Sequence, residues 1–499
     1  ALAGLDVAAS SFDAASGSGV EGGLSVAVRT GDLAQSAAWR VGGNADFDAG
    51  AGAITLSNAG NDFGGAVHLS GGAAVVRDAN ALHLDTLDVA GLTATSGGTL
   101  SLGSGNIRGD LVASSAGDIT QQGALIVTGT GDIDAGSGRI QLGHANNDFQ
   151  STLHLAGASA TLADANALSL GVLDLGGFDV RVTDTLDLGR GSVAGNLIAM
   201  SRMGGIRQSG ALSVAGTSTI TATGNIELTN AGNDFVGAVS IQSQGATVSL
   251  RDANALHLAH GYSIQDFNVS TGGALNLGSM WVGRSFVALS GTGGITQTGE
   301  LWAGGTSSID AGTGDITLTN AGNDFNGTVN LAGGNVTVRA SDALALGTLA
   351  VDALTARSQG ALGLGQGVVG GDLSASSQGG AIIQAGALSV GGASSIDAGT
   401  GDITLTQAGN DFVGAVDLTG GAVAIADANA LVLGQVAATS LHARATTIGL
   451  ANDVATGGDQ DYDGALVLGA DAALVAGGNA DFDAEVGRAP RRARVLVGV

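Results

Sequence analysis

The sequence contains no cysteine, no lysine and a single proline among its 499 residues, and only 3% of its residues are aromatic. The absence of cysteine excludes disulfide bonds and thiolate metal sites. Because proline cannot donate a backbone hydrogen bond, its scarcity permits long stretches of uninterrupted strand pairing. No run of 18 apolar residues predicts a membrane-spanning helix. The few aromatic residues favour a narrow core of small aliphatic side chains.

The charge is strongly one-sided. All 18 basic residues are arginine, 44 residues are acidic, and the net charge is −26. Such a surface repels nucleic acid and anionic membranes, and its self-repulsion keeps a glycine-rich β protein in solution. We therefore expect no nucleic-acid binding and no membrane insertion. Aspartate greatly outnumbers glutamate, which indicates that most of the carboxylates serve turns.

Short runs of alternating apolar and polar residues fill the chain, as in AITLS at 53–57 and GAVHLS at 65–70. A period of two predicts β-strands. Clusters of glycine, asparagine, aspartate and serine separate these runs and supply turn conformations. Since 44% of the residues are hydrophobic and no helical periodicity appears, the sequence predicts an ordered all-β protein.

An internal repeat dominates the sequence. The run AGNDF ends at Phe63 and returns at steps of 86, 86, 90 and 87 residues, ending at Phe149 (as ANNDF), Phe235, Phe325 and Phe412. Two other landmarks keep the same phase, DANAL around Asn80 and ITQQGAL around Gln121. Whole modules therefore recur, and the chain is predicted to be one elongated array.

About twelve strand-sized runs fit into each repeat. Three strands per turn would give four coils of roughly 21 or 22 residues and roughly 23 coils in all, which predicts a parallel β-helix. The expected segments are a partial repeat at 1–50, repeats at 51–136, 137–222, 223–312 and 313–399, a partial repeat at 400–457, divergent terminal coils at 458–487, and a basic, unstructured tail at 488–499.

The repeated asparagine and phenylalanine of the NDF run are the most regular site residues. We expect each asparagine to close a coil corner through hydrogen bonds and each phenylalanine to point inward. A repeated ligand-binding role for the asparagines is the alternative. These positions are Asn61, Phe63, Asn147, Phe149, Asn233, Phe235, Asn323, Phe325, Asn410 and Phe412.

No constellation of residues predicts chemistry. Tandem calcium-binding nonapeptides are absent, and the histidines join no compact acidic cluster, so we expect no metal site. The polar residues repeat evenly instead of forming one acid–base group, so we expect no catalytic residues, no cofactor and no enzyme activity.

One tripeptide departs from the repeat. Arg108, Gly109 and Asp110 spell RGD in the run NIRGDLVAS, and integrins recognise loops of that kind. The same slot holds AGN, GRS and GGD in other repeats, which indicates a tolerant turn in which the tripeptide can arise by one substitution. A receptor contact and a chance substitution at an exposed turn are the two interpretations.

The motifs ITLTNAGNDF, DANAL and GDITQQGAL, with the closing run GDQDYDGALVLGADAALVAGG at 458–478, resemble the repeat region of filamentous haemagglutinin-like bacterial exoproteins. The resemblance implies a right-handed β-helix, secretion to the bacterial surface by two-partner secretion or as an autotransporter, and an outer-membrane barrel as export partner. It implies the shaft of an adhesin that contacts a host cell-surface protein or glycan.

The stem of a contact-dependent toxin delivery protein is the alternative, because it would share the same shaft. A β-helical polysaccharide-active enzyme is a more distant one. Strand edges at the ends of a solenoid lack partners, so we also expect end-to-end self-association.

Overall fold

The computed structural model describes residues 4–10, 12–14, 19–469, 472–488 and 494–497. The chain divides into two compact units, residues 1–252 and 253–499. Both are right-handed parallel β-helices, and their strands complete about 24 turns in all, which confirms the predicted fold class. None of the residues described forms a helix, so this part of the chain contains no helix long and apolar enough to cross a membrane.

Unit 1 has three faces, named A, B and C in the order in which the chain visits them. Face A contains Leu5–Ala9, Leu24–Val28, Ala45–Asp48, Ser104–Ile107, Leu125–Val127, Asp148–Phe149, Leu186–Asp187, Ile206–Arg207, Ile226–Leu228 and Val248–Asp252. Face B contains Phe12–Ala14, Leu33–Gln35, Ile54–Leu56, Leu111–Ser115, Gly131–Asp134, Thr152–Gly157, Arg190–Val193, Leu212–Val214 and Asp234–Phe235. Face C contains Gly19–Val20, Arg40–Val41, Asp62–Phe63, Leu100–Ser101, Ile119–Thr120, Arg139–Leu142, Ser159–Asp164, Phe178–Val182, Leu197–Ser201, Ser218–Ala222 and Val239–Ser243. The strands that continue around a corner are Val67–Asp78, Leu82–Ser96 and Leu168–Leu175.

Unit 2 also has three faces, named D, E and F. Face D contains Ile295–Gln297, Ile316–Leu318, Leu373–Ser377, Ser394–Asp397, Ala415–Thr419, Val454–Thr456, Ala473–Ala476 and Arg494–Val497. Face E contains Leu301–Ala303, Asp324–Phe325, Leu362–Gly363, Ile382–Ile383, Ile403–Leu405, Ala422–Ala426 and Ala480–Phe482. Face F contains Phe267–Thr271, Phe286–Ser290, Ser307–Asp310, Gln366–Val369, Leu388–Val390, Asp411–Phe412 and Val486–Arg488. The strands that continue around a corner are Leu256–Ser263, Leu275–Val282, Val329–Arg339, Leu344–Ser358, Ala430–Ala438, Ser440–Leu450 and Gln460–Leu468.

The alternating sequence pattern decides which side of each strand is buried. In the strand Leu24–Val28, the residues Leu24, Val26 and Val28 are buried while the intervening residues are half-exposed. Successive side chains of a strand point to opposite sides of the sheet, so every second residue enters the core. The resulting core is a narrow column of aliphatic side chains with a few rings, such as Phe267 and Phe286, whose centroids lie 6.3 Å apart.

One sequence repeat is longer than four turns of the solenoid. Leu92 pairs with Leu111 one turn later, and the same column continues through Gly131 and Leu153 to Leu170. Those four turns end at Leu170. The residue that follows Leu92 by one sequence repeat is Phe178, which lies further along the chain than Leu170. A repeat therefore makes about four and a third turns, not the four longer coils expected from the strand count. The coils are shorter because several strands continue around a corner without an interrupting loop.

Corresponding residues of successive repeats consequently lie on different faces. Phe63 pairs with Val41 on face C, and Phe149 pairs with Val127 on face A. Phe235 pairs with Val214 on face B. Within unit 1, a residue of one repeat therefore lies one third of a turn further around the solenoid than its counterpart in the preceding repeat.

The C-terminal segment differs in part from the expected unstructured tail. Arg494–Val497 forms a strand that pairs with Ala473–Ala476. Residues 489–493 and 498–499 lie outside the residues described. The repeat boundaries drawn from the sequence stay predictions.

Truncation of Phe235 tests the packing of the core. Phe235 is fully buried and the neighbouring Val236 is 65% exposed. We expect Phe235→Ala to lower the free energy of unfolding by about 3–5 kcal/mol, because it leaves a cavity in a closely packed interior. The matched Val236→Ala change should stay within about 0.5 kcal/mol. Urea unfolding of both variants measures the difference, and equal midpoints would contradict the burial of the ring.

Candidate functional site

The asparagines of the NDF runs form buried polar clusters. Asn147 is completely buried, and its Nδ2 donates hydrogen bonds to the Leu142 carbonyl (3.0 Å) and to Oε1 of Gln121 (2.9 Å). Its Oδ1 accepts from Nε2 of Gln121 (2.7 Å) and from the backbone N–H of Leu125 (3.0 Å). Both hydrogen-bonding atoms of the side chain are therefore engaged within the protein. The cluster joins the corner of one coil to the coil before it.

The same Gln–Asn pair occurs in all five copies of the repeat, and every one of these asparagines is fully buried. The other pairs are Gln35 with Asn61, Gln208 with Asn233, Gln297 with Asn323, and Gln384 with Asn410. The phenylalanine two residues after each asparagine is also buried. Sequence reasoning identified both motifs but not their contact. The nearly constant spacing between the glutamine and the asparagine along the chain was the available signal.

A buried aspartate completes most of these clusters. Oδ2 of Asp164 accepts a hydrogen bond from the backbone N–H of Phe149 (2.8 Å), and its Oδ1 accepts from the N–H of Asn166 (2.7 Å). Burial raises the pKa of Asp164, and the two N–H donors offset part of that effect. Burial raises the pKa of Asp78 in the same way. The carboxylate is not present in every copy, because Ala340 takes this place in the fourth copy.

The RGD tripeptide lies at an exposed corner of unit 1 between faces A and B. Arg108 forms an ion pair with Asp88. Oδ1 of Asp110 accepts hydrogen bonds from the backbone N–H of Thr130 (2.7 Å) and from its hydroxyl (2.9 Å). A Cβ at Gly109 would collide with the carbonyl oxygen of Ala90 in the preceding coil. All three residues therefore take part in the structure of this corner.

An outward-facing aromatic row on face E of unit 2 was not predicted from the sequence. Tyr262, Trp281 and Trp302 pair in register on consecutive coils. Their ring centroids lie 4.8 and 4.7 Å apart, and the ring planes differ by 15° and 9°. Trp281 is 36% exposed, while its neighbours Met280 and Val282 are buried. The three rings thus lie on the solvent side of the sheet.

This aromatic row occurs in only one of the repeats that can be compared through strand pairing. The corresponding rows are Asp88–Asn106–Ile126, Asp174–Ser192–Ser213 and Ala350–Val368–Ser389. The row could have been found from the sequence, because Trp281 and Trp302 are separated by the length of one coil and both depart from the repeat.

A groove with a cavity volume of about 480 Å³ lies along the aromatic row. Its polar lining residues include His260, Ser279, Glu300 and Asp324. Within the part of the chain that the structure describes, neither carboxylate forms an ion pair. The groove therefore combines aromatic rings with hydrogen-bonding groups that protein contacts do not neutralise.

The family model described as repeats of unknown function (DUF5649) matches five segments of the chain, residues 4–70, 90–156, 177–242, 265–332 and 352–419. The even spacing of these segments agrees with the repeat found in the sequence. No curated protein and no solved structure shows a significant match to the chain.

Replacing Asn147 tests the polar cluster. Asn147→Ala leaves the Leu125 N–H, the Leu142 carbonyl and the Gln121 amide without their partner, so we expect a loss of at least about 3 kcal/mol in the free energy of unfolding. The adjacent Asn146 is exposed, and Asn146→Ala should change stability by less than about 0.5 kcal/mol. Comparable denaturation midpoints for the two variants would show that the cluster is not needed.

The buried Asp164 predicts a pH dependence of stability. Its pKa is higher in the folded than in the unfolded state, so the folded state binds the proton more tightly. Its contribution to the free energy of unfolding therefore rises as the pH falls through the folded-state pKa. Asp164→Ala removes this contribution, so the stability difference between wild type and variant should be larger at pH 4 than at pH 7. Urea unfolding at both pH values checks the sign, and a difference that shrinks on acidification would refute it.

Proposed function

From the architecture of this chain, which belongs to the family of repeats of unknown function (DUF5649), we propose that it is the structural shaft of a large bacterial surface adhesin. In that role it presents or mediates attachment to host cells or matrix. The β-solenoid of each unit is compatible with a structural shaft. The resemblance of its repeats to filamentous haemagglutinin-like exoproteins supports the adhesin role.

One observation carries this proposal. The same Gln–Asn cluster recurs in five repeats, and in each copy the amide groups bond to each other and to the backbone. A cluster of that kind stabilises a coil corner without leaving reactive groups free for a substrate. Repeating it extends the solenoid without building a single catalytic pocket. For this reason we also propose that the chain is not an enzyme.

We further propose that the protein is secreted to the bacterial surface through an outer-membrane barrel. The absence of cysteine supports this route, because no disulfide can form before export. Backbone pairing joins each coil to the next one, so a solenoid of this kind can fold coil by coil as it emerges. Unpaired edges at the ends of the solenoid would favour self-association end to end.

Attachment is tested by measuring the binding of the full chain to host cells and immobilised matrix proteins, with a denatured sample as control. Saturable binding of the folded protein alone is the expected result. No saturable binding to any surface would contradict an adhesive role for this chain and leave it as a passive spacer.

The RGD corner is tested by Asp110→Asn. At the corresponding corner, Oδ1 of Asn196 accepts a hydrogen bond from the N–H of Thr217 (2.9 Å), so asparagine can replace the structural bond made by Asp110. We expect the free energy of unfolding to change by less than about 0.5 kcal/mol. We also expect attachment to persist, because the charged groups of the tripeptide are engaged within the protein. Loss of attachment by this folded variant would identify Arg108, Gly109 and Asp110 as a receptor contact.

A further inference from the structure

We propose that the aromatic row Tyr262–Trp281–Trp302 and the groove beside it bind a neutral oligosaccharide. The proposal names a ligand class for the attachment role above and takes its biological setting from that role. The binding event itself involves only residues of unit 2 and is testable without cells.

The rings are placed for contact with a ligand and not for packing in the core. They alternate along their strands with buried residues such as Met280 and Val282, so they project away from the interior. The corresponding positions of other repeats hold no aromatic residue; among them are Asn106, Ser192 and Val368, within the same strand pairing. The fold therefore does not require aromatic side chains here.

The stacking geometry leaves part of the ring faces open. Rings in van der Waals contact lie about 3.5 Å apart, so centroids separated by 4.7 Å imply a sideways slip of about 3 Å between Trp281 and Trp302. The row is an offset series in which each ring covers its neighbour only in part. An apolar ring face of a sugar can rest on such uncovered surface.

The polar side of the groove supplies acceptors for sugar hydroxyl groups. Glu300 precedes Trp302 by two residues, and Asp324 is the register partner of Trp302 on the next coil. A hydroxyl that donates to an ionised carboxylate forms one of the stronger hydrogen bonds available to an uncharged ligand. Glu300 also departs from the repeat, because alanine occupies positions 124, 211 and 387.

Asp324 has lost the partner that its counterparts keep. Nδ2 of Asn166 donates a hydrogen bond to Asp148 (3.0 Å), and Nδ2 of Asn429 donates to Asp411 (3.4 Å). In the copy that contains Asp324, the asparagine is replaced by Asp342, which cannot donate when ionised. The change leaves the Asp324 carboxylate available to a ligand on the aromatic side of the groove.

The charge of the site selects among saccharides. The residues that line the groove include two carboxylates and no arginine, and the whole chain carries a net charge of −26. Sulfated and sialylated glycans would be repelled by this negative charge. A neutral oligosaccharide meets no such electrostatic repulsion, and its hydroxyl groups can donate hydrogen bonds to the carboxylate acceptors.

Intrinsic tryptophan fluorescence of the full chain tests the proposal directly. Two of the three tryptophans lie in the row, and the third, Trp39, is buried in unit 1. A panel of neutral oligosaccharides of glucose, galactose, mannose and N-acetylglucosamine is titrated, with heparin fragments and sialyllactose as anionic counterparts. We expect a saturable emission shift with at least one neutral oligosaccharide and none with the anionic ones.

The variants take their residues from the repeat itself, so they should fold. Trp281→Asn introduces the residue found at position 106, Trp302→Ser the residue found at 213, and Glu300→Ala the residue found at 211. Val368 corresponds to Trp281 in the next repeat and is 53% exposed, so Val368→Ser is the matched control. Each of the three site variants should weaken binding at least tenfold, measured by calorimetry, and the control should bind like the wild type.

The outcomes separate this proposal from the adhesin role. No emission shift with any neutral oligosaccharide, equal binding by the tryptophan variants, or a preference for heparin fragments or sialyllactose would each overturn the saccharide site. Circular dichroism identifies a variant that fails to fold, and Glu300→Ala, which leaves the ring stack intact, then decides the result. Saccharide binding by a protein that does not attach to cells would overturn the adhesin role and leave the saccharide site standing.

Discussion

Backbone hydrogen bonding between successive coils is the constraint on which the other features of this protein depend. The N–H of Leu92 donates to the carbonyl of Asp110 (2.9 Å), and the N–H of Leu111 donates to that of Thr130 (2.8 Å), each one coil further along the chain. Because parallel pairing fixes the register, each paired residue lies directly above a residue of the preceding coil. Inward positions are therefore mostly apolar, and outward positions form rows. The buried Gln–Asn clusters and the exposed aromatic row both follow from this one rule.

Buried polar groups are hardest to pair at the corners of the solenoid. Backbone groups at a corner lose part of the regular pairing, and a buried group without a partner is costly. The amides of Asn147 and Gln121 solve this problem by bonding to each other and to the backbone of two coils. All five copies retain the amide pair, whereas the aspartate is replaced by Ala340 in one copy. The amide pair is thus the constant part of the corner, and the carboxylate is an addition to it.

These physical differences explain how much the sequence could predict. Alternation and a constant period were sufficient to predict the parallel solenoid, because both depend on local spacing. They also located the repeated asparagines and phenylalanines in the sequence. The pairing of Asn147 with Gln121 was not predicted, because the two residues lie 26 positions apart and meet only where successive coils stack. Strands such as Val67–Asp78 continue around a corner without a break in the strand, so the strand count led to coils that were too long on average. The row Tyr262–Trp281–Trp302 was not predicted for a different reason. The sequence was interpreted through residues that recur in every repeat, and these three aromatic residues occur in only one.

The mismatch between the repeat and the turn limits how such a protein can build a binding surface. A repeat of about four and a third turns moves each copied residue to another face, as the separation of Phe63, Phe149 and Phe235 demonstrates in unit 1. Copying a surface residue in every repeat would therefore scatter it around the solenoid. A continuous row must instead arise within one repeat, from residues one coil apart that depart from the repeated pattern together. Tyr262, Trp281 and Trp302 meet that condition, with Glu300 changed beside them, and this coordinated departure is what distinguishes the row from ordinary variation at exposed positions.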